Sequence, residues 1–210
     1  MKLLHIDSSI SGGASASRQL SARTVDHFRR THRNVEVIRR DLDADPLPHL
    51  DGKQLAAMVP TTASDAQTGE ALAKGFAALE EFQQADVVVI GAPMYNFGVP
   101  SQIKAWIDRI AVAGKTFRYT EQGPVGLSGG KTVIIASSRG GIYAHGTPGA
   151  AMDFQENYLR AVFTFLGVTD IAFVRAEGIA FGPEQREAAL NGAFDTIPAV
   201  AHHAVTARAA

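Results

Sequence analysis

The 210-residue chain contains no cysteine. That absence removes disulfides, thiolate metal ligands and cysteine nucleophiles together, and it suits a reducing cytoplasm. Neither sign of charge is in surplus: 20 Lys and Arg stand against 21 Asp and Glu, for a formal net charge of −1. A nucleic-acid binder normally carries a basic excess, so no such partner is expected. Long apolar runs are missing as well. "VVVIGA" and "TVIIA" fall far short of the ~20 residues that cross a bilayer. The opening "MKLLHIDSSISGGASA" starts like a signal peptide, but His5 and Asp7 interrupt the run before an apolar stretch forms. The expectation is a soluble, cytoplasmic protein with no membrane partner.

Several well-known sites fail on inspection. "GLSGG" (Gly126–Gly130) has the spacing of a serine-nucleophile elbow, but Ser128 precedes a strand where the elbow must follow one. "GLSGGKT" is one residue short of a phosphate P-loop and runs loop-then-strand. Asp41, Asp43 and Asp45 begin like a calcium loop, yet Pro46 and Gly52 stand where Gly and Glu are needed. The seven histidines form no i, i+4 pair on a helix. No metal is expected.

What the chain has is 46% hydrophobic and 20% charged residues, ordinary for a packed globular protein. Its length suits a single domain spanning 1–210. Five short runs read as strands: Leu3–Ile6, Val35–Ile38, Asp86–Ala92, Thr132–Ser137 and Ile171–Ala176. The third and fourth are apolar on successive positions, the pattern of strands covered on both faces. Helical spacing lies between them. Leu72, Phe76, Leu79 and Phe82 mark a face over Ala66–Phe82; Ile103, Ile107 and Ile110 mark another, and Leu159, Val162, Phe163 and Leu166 a third. Further helices are predicted over Ser17–Arg30 and Pro183–His202. Such alternation implies an α/β fold with a parallel sheet and helices on both faces. Ligands then bind beyond the carboxyl ends of the strands.

The segment after each strand therefore matters most. "SSISGGASASRQL" (Ser8–Leu20) follows the first. It lacks the G-x-G-x-x-G of a dinucleotide fold but offers Ser9, Ser15 and Ser17, a Gly pair and a helix start, which together suit a phosphate monoester. One serine alone would be explained as a helix N-cap. "GAPMYNFGVP" follows the third strand and places Met94, Tyr95, Asn96 and Phe97 on the same rim. A monoester beside a flat aromatic cradle describes a mononucleotide with a large ring, and flavin mononucleotide (FMN) fits best. Hiding on the order of 200 Å² of ring would contribute roughly 5 kcal/mol. "SSRGG" (Ser137–Gly141) follows the fourth strand; its glycines allow close backbone approach, while Arg139 reads equally well as a ligand contact or a surface charge. "RGGIYAHGTPGA" (Arg139–Ala150) is a glycine-rich candidate lid.

"SSI" with Ser15–Ala16–Ser17, "PMYNF" (Pro93–Phe97), "TFRYTE-GP-GL" (Thr116–Leu127), "SRGG" (Ser138–Gly141) and "FLG-TD" with "AEGIA-GPE" (Phe165–Glu184) resemble the FMN-dependent NADH-azoreductase family over nearly the whole chain. The resemblance implies a flavodoxin-like three-layer sandwich whose five parallel strands run in the order 2-1-3-4-5. It implies one FMN per subunit, held by Ser9, Ser15, Ala16, Ser17, Met94, Tyr95, Asn96, Phe97, Ser138, Arg139, Gly140 and Gly141. It further implies a homodimer with active sites at the subunit interface, where Tyr119 and Phe165, with Tyr143, line the substrate pocket. Some members carry Arg before the proline at Pro60; this chain has Val59, which leaves NADPH use open beside NADH. The expected activity is reduction of quinones to hydroquinones and of azo bonds to amines in ping-pong order, with no catalytic side chain because the cofactor carries the chemistry. The alternative is a flavodoxin-like single-electron carrier, although such carriers tend to be shorter and strongly acidic.

Overall fold

The computed structural model describes residues 1–57 and 66–209. Five parallel strands form the central sheet: β1 (Lys2–Asp7), β2 (Glu36–Asp41), β3 (Val87–Pro93), β6 (Thr132–Ser138) and β7 (Asp170–Ala176), in the order β2-β1-β3-β6-β7. This is the expected 2-1-3-4-5 order. The numbering differs because two further strands, β4 (Phe117–Thr120) and β5 (Gly123–Gly126), form a separate antiparallel hairpin. The helices are α1 (Ala16–Thr31), α2 (Gly52–Ala57), α3 (Ala66–Gln84), α4 (Ser101–Ile110), α5 (Glu156–Phe165) and α6 (Pro183–Ala209).

Strand side chains alternate faces, and in the middle strands both faces are apolar. Val88 and Ile90 of β3, with Val133 and Ile135 of β6, look onto α3, α4 and α5, where Phe82, Trp106 and Phe163 meet. Val87, Val89 and Ile134 look the other way, onto Leu20 and Phe28 of α1 and Ala193, Ile197 and Ala201 of α6. Burial on both sides explains the unbroken apolar runs of β3 and β6.

β2 outlasts its apolar pattern by three residues. It is an edge strand, so Arg39, Arg40 and Asp41 continue the ladder with β1 while their side chains reach charged partners. Arg40 makes a two-point contact with Glu81 of α3. Helix α6 continues through Pro198 and past its predicted end at His202, where Ala204 and Val205 still pack against the core.

The hairpin lies against the end of α5. A Cβ on Gly126 would stand 2.1 Å from the Gly167 nitrogen, so this contact requires glycine. The Ser128 amide donates to the Leu166 carbonyl at 2.8 Å, which makes "GLSGG" a connection into β6. Lys131, the lysine of the P-loop lookalike, donates to the Gln83 and Ala85 carbonyls.

Candidate functional site

Every predicted loop leaves the sheet at its carboxyl rim, as parallel strands dictate. After β1 the chain makes one 3-10 turn, Gly12–Ala14, and enters α1. Ser15 caps that helix by accepting from the Arg18 amide at 3.3 Å, so the N-cap reading holds for this one serine. Ser9 and Ser17 have other partners. The Ser9 hydroxyl lies 3.2 Å from the Tyr95 hydroxyl, and Ser15 and Ser17 lie 3.1 Å apart. All three serines are buried. These contacts are longer than the ~2.7–2.8 Å usual between hydroxyls, which leaves the three groups free to turn toward a stronger acceptor.

The loop after β3 is a tight turn. Tyr95 and Gly98 exchange two backbone hydrogen bonds of 3.0 Å, and the residues between them are left-handed, with φ 48° at Asn96 and 70° at Phe97. This is the pattern of a type I′ turn. Asn tolerates it; a Phe there stores about 1–2 kcal/mol of strain. The Phe97 ring is nevertheless 41% exposed. A strained residue that leaves its ring in solvent points to a ligand-facing role.

The third loop joins the second through the Met94 amide, which donates to the Ser138 carbonyl at 2.8 Å, and through Phe97, whose ring centroid is 6.2 Å edge-on from Tyr143. Gly141 lies beneath the Tyr143 ring, where a Cβ would come within 3.1 Å of the hydroxyl. The three rim loops are thus knit together by Ser9–Tyr95, Met94–Ser138 and Phe97–Tyr143.

Arg139 is not a surface charge. It is 1% exposed, and its guanidinium donates to Ser137, Gln155 and Glu177 and contacts Asp153 at 3.0 Å and Glu156. Its amide donates to the Ala176 carbonyl. Glu177 also accepts from the Tyr143 amide at 2.8 Å, so the predicted lid is anchored near its start. The sequence reading passed over Glu177, Gln155 and Asp153 as site-building residues. Their pairing spans up to 38 positions and leaves no periodic trace.

Tyr119 and Phe165 lie elsewhere. They flank Phe117, at ring distances of 5.5 and 4.7 Å, and Tyr119 is 74% exposed. Helix α5 starts beside Arg139, at the carboxyl rim, and ends at Phe165 before β7 begins. Within one chain these two aromatics therefore sit at the far end of the sheet from Phe97 and Tyr143. Val59 and Pro60 lie outside the described residues.

A cavity of about 560 Å³ opens behind the serine loop, between α1 and β2, with His5, Asp7, Arg18 and Arg39 in its walls. His5, Asp7 and Ser21 invite comparison with a hydrolytic triad. The same His5 Nε2 faces Ser21 at 3.0 Å and Asp7 at 3.4 Å, whereas a triad needs opposite ring nitrogens for its two partners. Burial pushes the Asp7 carboxyl up, but hydrogen bonds from His5 and Ser21 and the Arg18 charge outweigh it and hold its pKa below the ordinary value.

The sheet order and rim loops define a flavodoxin-like α/β protein. The chain belongs to the flavodoxin-like fold family, whose profile matches residues 1–200. Among its relatives is an FMN-dependent NADH:quinone oxidoreductase of Ralstonia nicotianae, 55% identical over 99% of this chain and 100% of that one. Another, FMN-dependent NADH:quinone oxidoreductase 1 of Xanthomonas axonopodis pv. citri, is 58% identical over 92% of this chain and 94% of its own. Of solved structures, an azoreductase from Bacillus anthracis superposes with a TM-score of 0.87 at 28% identity, covering 96% of this chain and 98% of that one. An FMN-dependent NADH-azoreductase from the same species, in complex with FMN, superposes at 0.84 and 27% identity over 95% and 99%.

Proposed function

We propose that this chain is an FMN-dependent NADH:quinone oxidoreductase that also reduces azo compounds. The observation that carries the reading is the knitting of three rim loops into one site, hydroxyl-bearing on one side and aromatic on the other. The donor set fits FMN: Ser9, Ser15 and Ser17 with the start of α1 suit a dianionic phosphate, and Met94, Tyr95 and Phe97 offer flat apolar surface. Asn96, Gly140 and Gly141 would supply hydrogen-bonding groups to the polar edge of the ring. When bound, FMN supplies the hydride chemistry between NADH and the acceptor. Phe97 and Tyr143 would flank the ring and hold it in place. A donor and an acceptor that share one exposed ring face would react in turn, in ping-pong order.

The wider reading is of a single domain working in the cytoplasm, where NADH is at hand, as a homodimer. Tyr119 and Phe165 support the dimer, because only a second copy could bring them to a rim at the other end of the sheet. Sedimentation should find a dimer, and Tyr119→Ala should raise KM for a quinone with FMN content unchanged. Stopped-flow mixing of the purified protein with NADH, with no acceptor present, should bleach the visible flavin band. A band that stays oxidised would overturn the proposed activity.

A further inference from the structure

Five carbonyl oxygens of the serine loop are held by donors of the chain itself. The Ser11 and Gly12 carbonyls accept from the Ala14 and Ser15 amides, and the Ser15 carbonyl from Gln19. Two others are taken by arginines. Arg18 donates Nε and Nη2 to the Ser9 carbonyl at 3.0 and 2.8 Å, and Arg186 of α6 donates to the Ala14 carbonyl at 2.6 Å. A loop that binds an anion must present N–H and O–H groups and hide C=O groups, since each carbonyl facing a phosphate is repulsive.

Arg18 does more than hold a carbonyl. Its other edge makes a two-point contact with Asp41 at 2.6 and 2.8 Å, and it lies 3.6 Å from Asp7 and 3.8 Å from Asp43. Three carboxylates therefore lie directly behind a loop read as a phosphate cradle. Uncompensated, they would repel a dianion across a partly buried region where screening is weak. Arg39 joins Arg18 in offsetting them, 3.3 Å from Asp7 and 3.5 Å from Asp41.

We infer that Arg18, anchored on Asp41 and assisted by Arg186, is the positioning residue that makes the serine loop select a phosphorylated flavin over an unphosphorylated one. This rests on the assignment of the FMN phosphate to that loop. Arg18 does not touch the phosphate; it turns Ser9 and cancels the acids behind it. A lysine cannot replace it, because one ammonium cannot meet the Ser9 carbonyl and both Asp41 oxygens in a fixed fork.

The test titrates the full chain, stripped of flavin, with FMN and separately with riboflavin, following flavin fluorescence. Wild type should favour FMN on the order of 100-fold, as two or three charge-assisted bonds allow. Arg18→Gln and Arg18→Lys should both cut that preference about tenfold while riboflavin affinity stays put, and Arg186→Gln should cut it two- to threefold. A wild type indifferent to the phosphate would sink the phosphate assignment itself. If wild type discriminates and Arg18→Gln does so equally, or loses both flavins alike, the positioning role is wrong. Should Arg18→Gln fail to fold, Arg186→Gln on its half-buried side chain decides the matter by the same ratio.

Discussion

Arg18 and Arg139 each pin a rim loop, one after β1 and the other after β6, yet their surroundings differ. Arg139 is sealed from water among Asp153, Glu156 and Glu177. Arg18 keeps an edge in the cavity beside β2 and shares its acids with the exposed Arg39. A sealed cage fixes the backbone that carries Tyr143 and is part of the scaffold. An open clamp can tune the serine loop proposed to hold the FMN phosphate. Charge type and the number of carboxylates, three in each case, do not separate these roles; burial does.

The sharpest way to break the comparison is to empty the cage. Arg139→Met should destabilise the protein by about 3–5 kcal/mol, because Asp153 and Glu177 lose their cation while Glu156 keeps only Arg175. For a chain of this length the melting temperature should fall by roughly 10 °C. Arg18→Met should cost far less in the same denaturation measurement. Equal losses would show that the two arginines do the same work.

Acid separates them next. The Arg18 hydrogen bonds lower the Asp41 pKa from 3.8 to about 2, with the Asp43 and Ala44 amides assisting against desolvation. A carboxyl lowered on folding contributes stability that is complete above about pH 5 and is lost as pH falls through 2, here about 1–2 kcal/mol once solvent screening of this partly exposed pair is allowed for. Asp41→Asn should flatten the denaturation free energy across that interval. An unchanged slope would mean that Asp41 and Arg18 are not coupled in solution.

Much of this was legible beforehand. Strands covered on both faces announce themselves, so β3 and β6 were found within a residue, and the three rim loops followed from the parallel topology. Edge strand β2 was cut short because Arg39 and Arg40 carry no apolar signal. The hairpin was missed because Phe117–Gly126 is short, exposed and interrupted by Gly123 and Pro124, with no period to read. Arg139 was undecidable: a guanidinium bonded to Glu177 and Asp153 has the same letter as one in solvent. Burial of charge is a long-range fact, and short-range pattern does not contain it.

Between the two clamps, Ser9→Ala addresses the polar side. It removes the hydroxyl that meets Tyr95 and should weaken FMN binding by about 0.5–2 kcal/mol, a loss of up to some thirtyfold in a fluorescence titration. Riboflavin binding should barely change. Unchanged FMN affinity would move the phosphate off this loop and leave Arg18 with nothing to position.

The smallest expected effect on stability comes where the two pinned loops meet, at the strained turn. Replacing Phe97 with Gly removes about 1–2 kcal/mol of left-handed strain and gives back part of it through a more mobile unfolded chain. With the ring already exposed, little packing is lost. Stability without flavin should therefore stay within about 1 kcal/mol of wild type, while FMN affinity falls as the aromatic wall beside Tyr143 disappears. A large stability loss with full FMN affinity would reverse that reading: Phe97 would then belong to the scaffold, as Arg139 does, and the ligand would owe nothing to the strain.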